Sequence, residues 1–142
     1  MLLKEKESLS KSEIEKELGK MGDYVKIDYL SRSLKKNLDF DTRKFVHVKL
    51  AEIYESLKMY FEAARIVRNS AEINTTYENK MKDHLKSMEL FIKSGSYDEA
   101  EISFTKALSV VKENQKIQIK KQHTEAYKKQ AEYYFRDGKL KN

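Results

Sequence analysis

The chain has no cysteine, no proline and no tryptophan, and only four glycines in 142 residues. Without cysteine there are no disulfides, thiolate zinc sites or cysteine nucleophiles. Without proline, and with glycine confined to Gly19, Gly22, Gly95 and Gly138, long helices meet few breakers, whereas a β-sandwich would need many more turn residues. No run approaches the ~18 apolar residues of a membrane span, so no membrane insertion is expected. Met1 to Ser10 lacks an apolar signal core, which makes the cytoplasm the expected compartment and Asn74-Thr75-Thr76 an unused glycosylation match. There is no phosphate-cradling glycine loop, no His-Glu-x-x-His and no nucleophile elbow. The acidic groups Asp98/Glu99 and Glu13/Glu15/Glu17 fit helix N-terminal charge and solvated faces, not paired acid and base groups. The expectation is a protein that is not an enzyme and needs no metal or cofactor.

What is present is helical. The apolar fraction of 39% and charged fraction of 37% suit one α-rich domain with a heavily solvated outer face. Asp23 is a candidate cap for a stripe of Ile27, Leu30 and Leu34, and Asp41 or Thr42 for one of Val46, Leu50, Ile53, Tyr54 and Leu57. Thr75 with Glu78, and Ser96 with Glu99, have capping-box spacing. Gly95 and Gly138 stand where a left-handed C-terminal residue is wanted, and Asn114 marks a turn. The fold class expected is all-α, with helices over 24–37, 42–57, 60–73, 76–94, 97–112 and 115–137. Residues 1–22 read as an N-terminal arm or a short helix from Lys11 to Leu18, and 23–142 as one domain. Short connections pack successive helices antiparallel, so 42–73 and 76–112 form two hairpins.

The hairpins are self-similar. Leu50, Ala51, Tyr54, Tyr60 and Ala63 align with Ser87, Met88, Phe91, Tyr97 and Ala100; Val67, Ser70 and Ala71 align with Phe104, Ala107 and Leu108. The tail repeats the start once more as Ala131, Tyr134, Gly138 and Leu140. Tyr97, Ala100, Phe104, Ala107 and Leu108 on one face resemble the second helix of a tetratricopeptide repeat (TPR). The resemblance covers about 42–142. It departs from the family in its 37- and 43-residue spacings against ~34, in lacking the inter-repeat proline, and in having His47 and His84 where tryptophan is usual. Long, variable helices are closer to SNAP-type adaptors. The resemblance implies hairpins stacked as a short right-handed superhelix, an α-α solenoid, acting as a protein-protein interaction scaffold or adaptor.

It also implies a groove along the first helices of each pair. The residues it places there are Phe45, Val48, Glu52 and Glu55, then Lys82, Leu85, Glu89, Ile92 and Lys93, then Lys128, Glu132, Phe135 and Arg136. An amphipathic helix or extended peptide of another protein would dock in it. Helices within 11–37 folding over part of the groove are the competing reading. A carboxylate clamp for chaperone tails is not expected, because its places hold Val48, Glu52, Lys86, Glu125 and Lys129. His47 and His84 occupy equivalent repeat places and are read as packing residues, while His123 reads as surface. Lys116, Lys120, Lys121, Lys128 and Lys129 form a basic run beside Tyr127, Tyr133 and Tyr134. They solvate a capping helix, or, as the alternative, meet nucleic acid without sequence preference. A homodimer through the last helix is a further alternative.

Overall fold

A computed structural model describes residues 8–136. Gly138 and Leu140, read above as a helix stop and part of a third repeat, lie outside them. The described residues form seven helices: α1 (Lys11–Leu18), α2 (Asp23–Ser33), α3 (Phe40–Ser56), α4 (Tyr60–Ile73), α5 (Tyr77–Lys93), α6 (Tyr97–Ser109) and α7 (Glu113–Arg136). Among them there is no strand, only an isolated bridge between Ser8 and Asn37. No helix among them is long and apolar enough to cross a membrane.

Side-chain caps set three of the starts. Ser10 accepts from the Glu13 amide at 3.2 Å, Asp39 from Thr42 at 2.7 Å and Thr76 from Asn79 at 3.2 Å, each satisfying an amide the helix leaves unpaired. These correct the sequence reading, which favoured Asp41 or Thr42 for α3 and Thr75 for α5. A cap must sit outside the helix with its side chain three residues from a free amide, and Asp39 and Thr76 meet that condition. Asp23 is the first residue of α2 behind Gly22. Ser96 makes no side-chain cap bond, because its hydroxyl meets that of Ser94 at 2.9 Å and Glu99 is held by Arg68. Asn114 lies within the first turn of α7 rather than in the connection.

The two hairpins turn in the same way. Lys58 has φ 60 and Gly95 φ 78, the left-handed region. In the first turn Met59 N–H reaches the Tyr54 carbonyl at 2.8 Å and Lys58 N–H reaches Glu55 at 2.9 Å; in the second, Ser96 reaches Phe91 and Gly95 reaches Ile92, both at 2.9 Å. Both are Schellman closures, set 37 positions apart in the chain.

Each of α3 to α6 packs on the next, and α5 packs also on α7. Small residues permit the close approach: Ala63, Ala64, Ala71, Ala100 and Ala107 are all buried. They surround Met88, Leu90, Phe91 and Ile92 of α5, with Ile119 of α7 joining. A second cluster of Ile14, Leu18, Leu30, Leu38, Val46 and Leu50 is continuous with it through Tyr54 and Ile66. Residues 11–18 are therefore a packed helix, with Ile14 fully buried.

Polar bonds tie the hairpins together. Lys44 of α3 and Ser70 of α4 meet Asp83 of α5, which also accepts from Asn74 at 2.8 Å. Arg68 of α4 reaches the Glu99 carboxylate, the Glu99 carbonyl at 2.7 Å and Ser103 Oγ at 3.0 Å on α6, and stacks 4.4 Å over the Phe91 ring.

Candidate functional site

A concavity lies between α5 and α7, with the start of α4 closing one end. It encloses about 970 Å³, within the range of small-ligand and peptide sites. Ile92 and Ala126 line its apolar part, and Tyr60, Tyr133 and Tyr134 add aromatic surface. Gln118, Gln122 and Gln130 supply amides, and Gln130 Nε2 donates to the Tyr134 hydroxyl at 3.1 Å. Four lysines (Lys58, Lys93, Lys121, Lys129) face two carboxylates, Glu89 and Glu125. None of these six takes part in an ion pair among the described residues. Lys93 Nζ lies 5.5 Å from the centre of the Tyr60 ring, so one cation is already placed over an aromatic face. The groove is thus net positive, aromatic and rich in groups able to bond a peptide or a base edge.

The sequence-derived groove residues separate into several places. Glu89, Ile92 and Lys93 meet in this concavity. Ile92 is only 1% exposed and Leu85 is buried with it in the core, which corrects their reading as surface anchors. The reason is that α5 is packed by α4, α6 and α7 together, so almost its whole apolar surface is enclosed. Phe45 is half-buried in the N-terminal core, with Lys11 Nζ 5.0 Å and Lys49 Nζ 5.8 Å from its ring centre. Helix α1 therefore packs against α3 beside Phe45. Val48 stays 45% exposed, while Glu52 pairs with Lys49 at 3.7 Å, Lys82 with Glu78 at 3.2 Å and Glu55 with Lys86 at 3.4 Å. Lys128, Glu132, Phe135 and Arg136 line two shallow depressions of α7 distinct from the groove.

The basic run does not form one patch. Lys116 pairs with Glu113 at 3.2 Å, Lys129 faces the groove, Lys120 and Lys128 line a shallow depression, and Lys121 borders both. At 100° per residue these positions spread around the helix.

The anchoring of α7 on α6 was missed by sequence reasoning. Glu101 accepts from Tyr127 at 3.0 Å and contacts His123 Nε2 at 2.7 Å. His123 stacks on Phe104 at 3.9 Å, and Tyr97 lies 5.8 Å from Tyr127. Burial first, then the Glu101 bond, pushes the Tyr127 hydroxyl up to about 12. His123 is thus a packing residue, not a free surface group. The available signal was the i, i+4 spacing of His123 and Tyr127, which places both on one face.

His47 and His84 are buried. The Nδ1–H of His47 donates to the Arg43 carbonyl at 2.8 Å, whereas Nδ1 of His84 has no partner among the described residues. Burial pushes both imidazoles below their ordinary value. Among the described residues no group of three or more histidines and carboxylates is placed to hold a metal ion. No protein-family model, curated protein or solved structure matches this chain.

Proposed function

We propose that this protein is a cytoplasmic, TPR-like interaction scaffold that receives a segment of a partner protein in the groove between α5 and α7. The single observation that carries the reading is the groove itself. It offers three tyrosines, three glutamines and four uncompensated lysines against two carboxylates, over about 970 Å³. Tyrosine gives large contact area at small entropic cost, glutamine bonds peptide groups, and the lysines orient acidic side chains. The repeated hairpin turns and the buried Ala63 and Ala100 at matching positions support the TPR-like assignment. The expected ligand is an extended or helical segment carrying acidic residues near an aromatic or aliphatic anchor.

Affinity capture from native lysate, with and without nuclease, tests it. Wild type is compared with Lys93→Glu/Lys129→Glu, two exposed groove residues whose exchange leaves the core intact. A protein retained through nuclease and lost with the double variant supports the scaffold. Nucleic acid is the second reading, favoured by Tyr60, Tyr133 and Tyr134 standing among four lysines. Capture that vanishes with nuclease, together with binding of a labelled single-stranded oligonucleotide, moves the function there.

A further inference from the structure

Helix α7 carries a second surface whose large apolar residues lie outside the groove, although Lys121 and Glu125 border both. Ile119, Ala126 and Gln130 turn inward, and on the opposite side Ile117, Lys121, Thr124, Lys128, Ala131 and Phe135 follow one another at alternating spacings of four and three. That is a heptad seam along one helical face, roughly 27 Å long at 1.5 Å per residue. Ile117 is 67% and Phe135 78% exposed, with smaller Thr124 and Ala131 between them. Two shallow depressions of about 440 and 520 Å³ run along this side.

We propose that this seam pairs antiparallel with the same seam of a second copy of the chain, about a two-fold axis beside residue 126. Reversing the helix on itself sets Ile117 opposite Phe135, Lys121 opposite Ala131, and Thr124 opposite Lys128. Both large apolar residues then gain a partner, and each lysine meets a small residue that leaves it room. Beside Ala131 stands Glu132, and beside Thr124 stands Glu125, so Lys121 reaches Glu132 and Lys128 reaches Glu125 across the axis. None of these four charges has an ion pair within the chain among the described residues. Sliding the register by one heptad either way separates Ile117 from Phe135 and leaves both without an apolar counterpart. A parallel pair would set Lys121 on Lys121 and Lys128 on Lys128. A polyanion would find Glu125 and Glu132 interleaved with its lysines. The charge order is complementary to its own reverse, and that selects a second copy as the occupant. With only two large apolar residues per copy, the dimer is weak and concentration-dependent. Ile117 and Phe135 lie outside the groove, whereas Lys121 and Glu125 border it, so the Ile117/Phe135 variant tests the seam without altering the groove.

Sedimentation equilibrium of the full chain over a concentration series tests it. The expected result is a monomer–dimer equilibrium that Ile117→Ser/Phe135→Ser abolishes without loss of helical circular dichroism. Lys121→Glu and Glu132→Lys each weaken dimerisation about fivefold, and combining them restores it. Because the chain has no cysteine, introduced thiols report orientation. A mixture of Lys121→Cys and Ala131→Cys copies forms a heterodisulfide, whereas Ile117→Cys alone does not cross-link. A chain monomeric throughout, a dimer unaffected by the Ile117/Phe135 variant, or an Ile117→Cys homodisulfide overturns the proposal. So does a monomer whose Ile117 and Phe135 become protected only when an acidic peptide or oligonucleotide is added.

Discussion

Arg68 joins three helices with one side chain. Its guanidinium bonds the Glu99 carboxylate and carbonyl and Ser103 Oγ while lying over Phe91, and Ser103 is in turn bonded by Ser87 at 2.9 Å. Removing it takes the ion-pair partner from Glu99 and one donor from Ser103, which keeps its Ser87 bond, and uncovers the Phe91 face. We expect Arg68→Ala to cost about 1–2 kcal/mol in urea unfolding, chiefly through lost hydrogen bonds and packing on Phe91. Arg68→Lys should recover less than half, since an ammonium cannot span the same acceptors.

The buried histidines act through pH. Desolvation holds His47 and His84 below their ordinary 6.5, so the fold favours the neutral rings while the unfolded chain protonates them. Their contribution is whole above about pH 6.5 and is lost as pH falls through the lowered folded values. Glu72, lowered chiefly by its bond to Lys106, and Asp39, lowered by the Thr42 amide, act only at more acidic pH. The urea midpoint should therefore fall between pH 7 and 5. In His84→Leu that slope should flatten, and stability at pH 7 should hold or rise by up to about 1 kcal/mol, because Nδ1 of His84 is unpaired among the described residues. An unchanged slope would remove His84 from the acid response.

At the scale of elements, the two hairpins meet the same turn requirement with different residues. Gly95 adopts its positive φ without penalty, whereas Lys58 does so with a Cβ. Lys58→Gly should stabilise the fold by about 0.5 kcal/mol and Gly95→Lys should destabilise it by about 1 kcal/mol, read as opposite shifts in Tm. Equal responses would mean that the turns are not equivalent. The α4 start and the glycine stop after α5 are legible in sequence because each depends on residues two to five positions apart. The caps of α3 and α5 are less so: Asp39, Asp41 and Thr42 are all acceptable chemically, and only the entry direction of the chain decides among them.

At the scale of the whole molecule, the groove depends on how α7 lies against α5 and α6. Its four lysines are screened by salt over about 8 Å at physiological ionic strength. Partner capture should accordingly weaken several-fold between 50 and 300 mM salt, by fluorescence anisotropy of the captured segment. Salt-independent affinity would assign binding to the tyrosines alone. Among the sequence-derived anchors, Glu89 and Lys93 reach this groove, while Phe45 is covered by α1 and Leu85 lies in the core. Tyr60, Gln118 and Gln122 were missed because they come from two helices distant in sequence.

The sequence by itself determined that this chain is helical, since scarce glycine, absent proline and 3.6-residue periodicity act locally. It also determined which helices pair, through short connections and the repeated alanines. Only the tertiary structure decided which apolar face of each helix is buried. Periodicity gives a stripe but not the number of neighbours around it. Enclosed by α4, α6 and α7, α5 has Leu85 and Ile92 in its core, while α7, packed on one side only, leaves Ile117 and Phe135 in solvent.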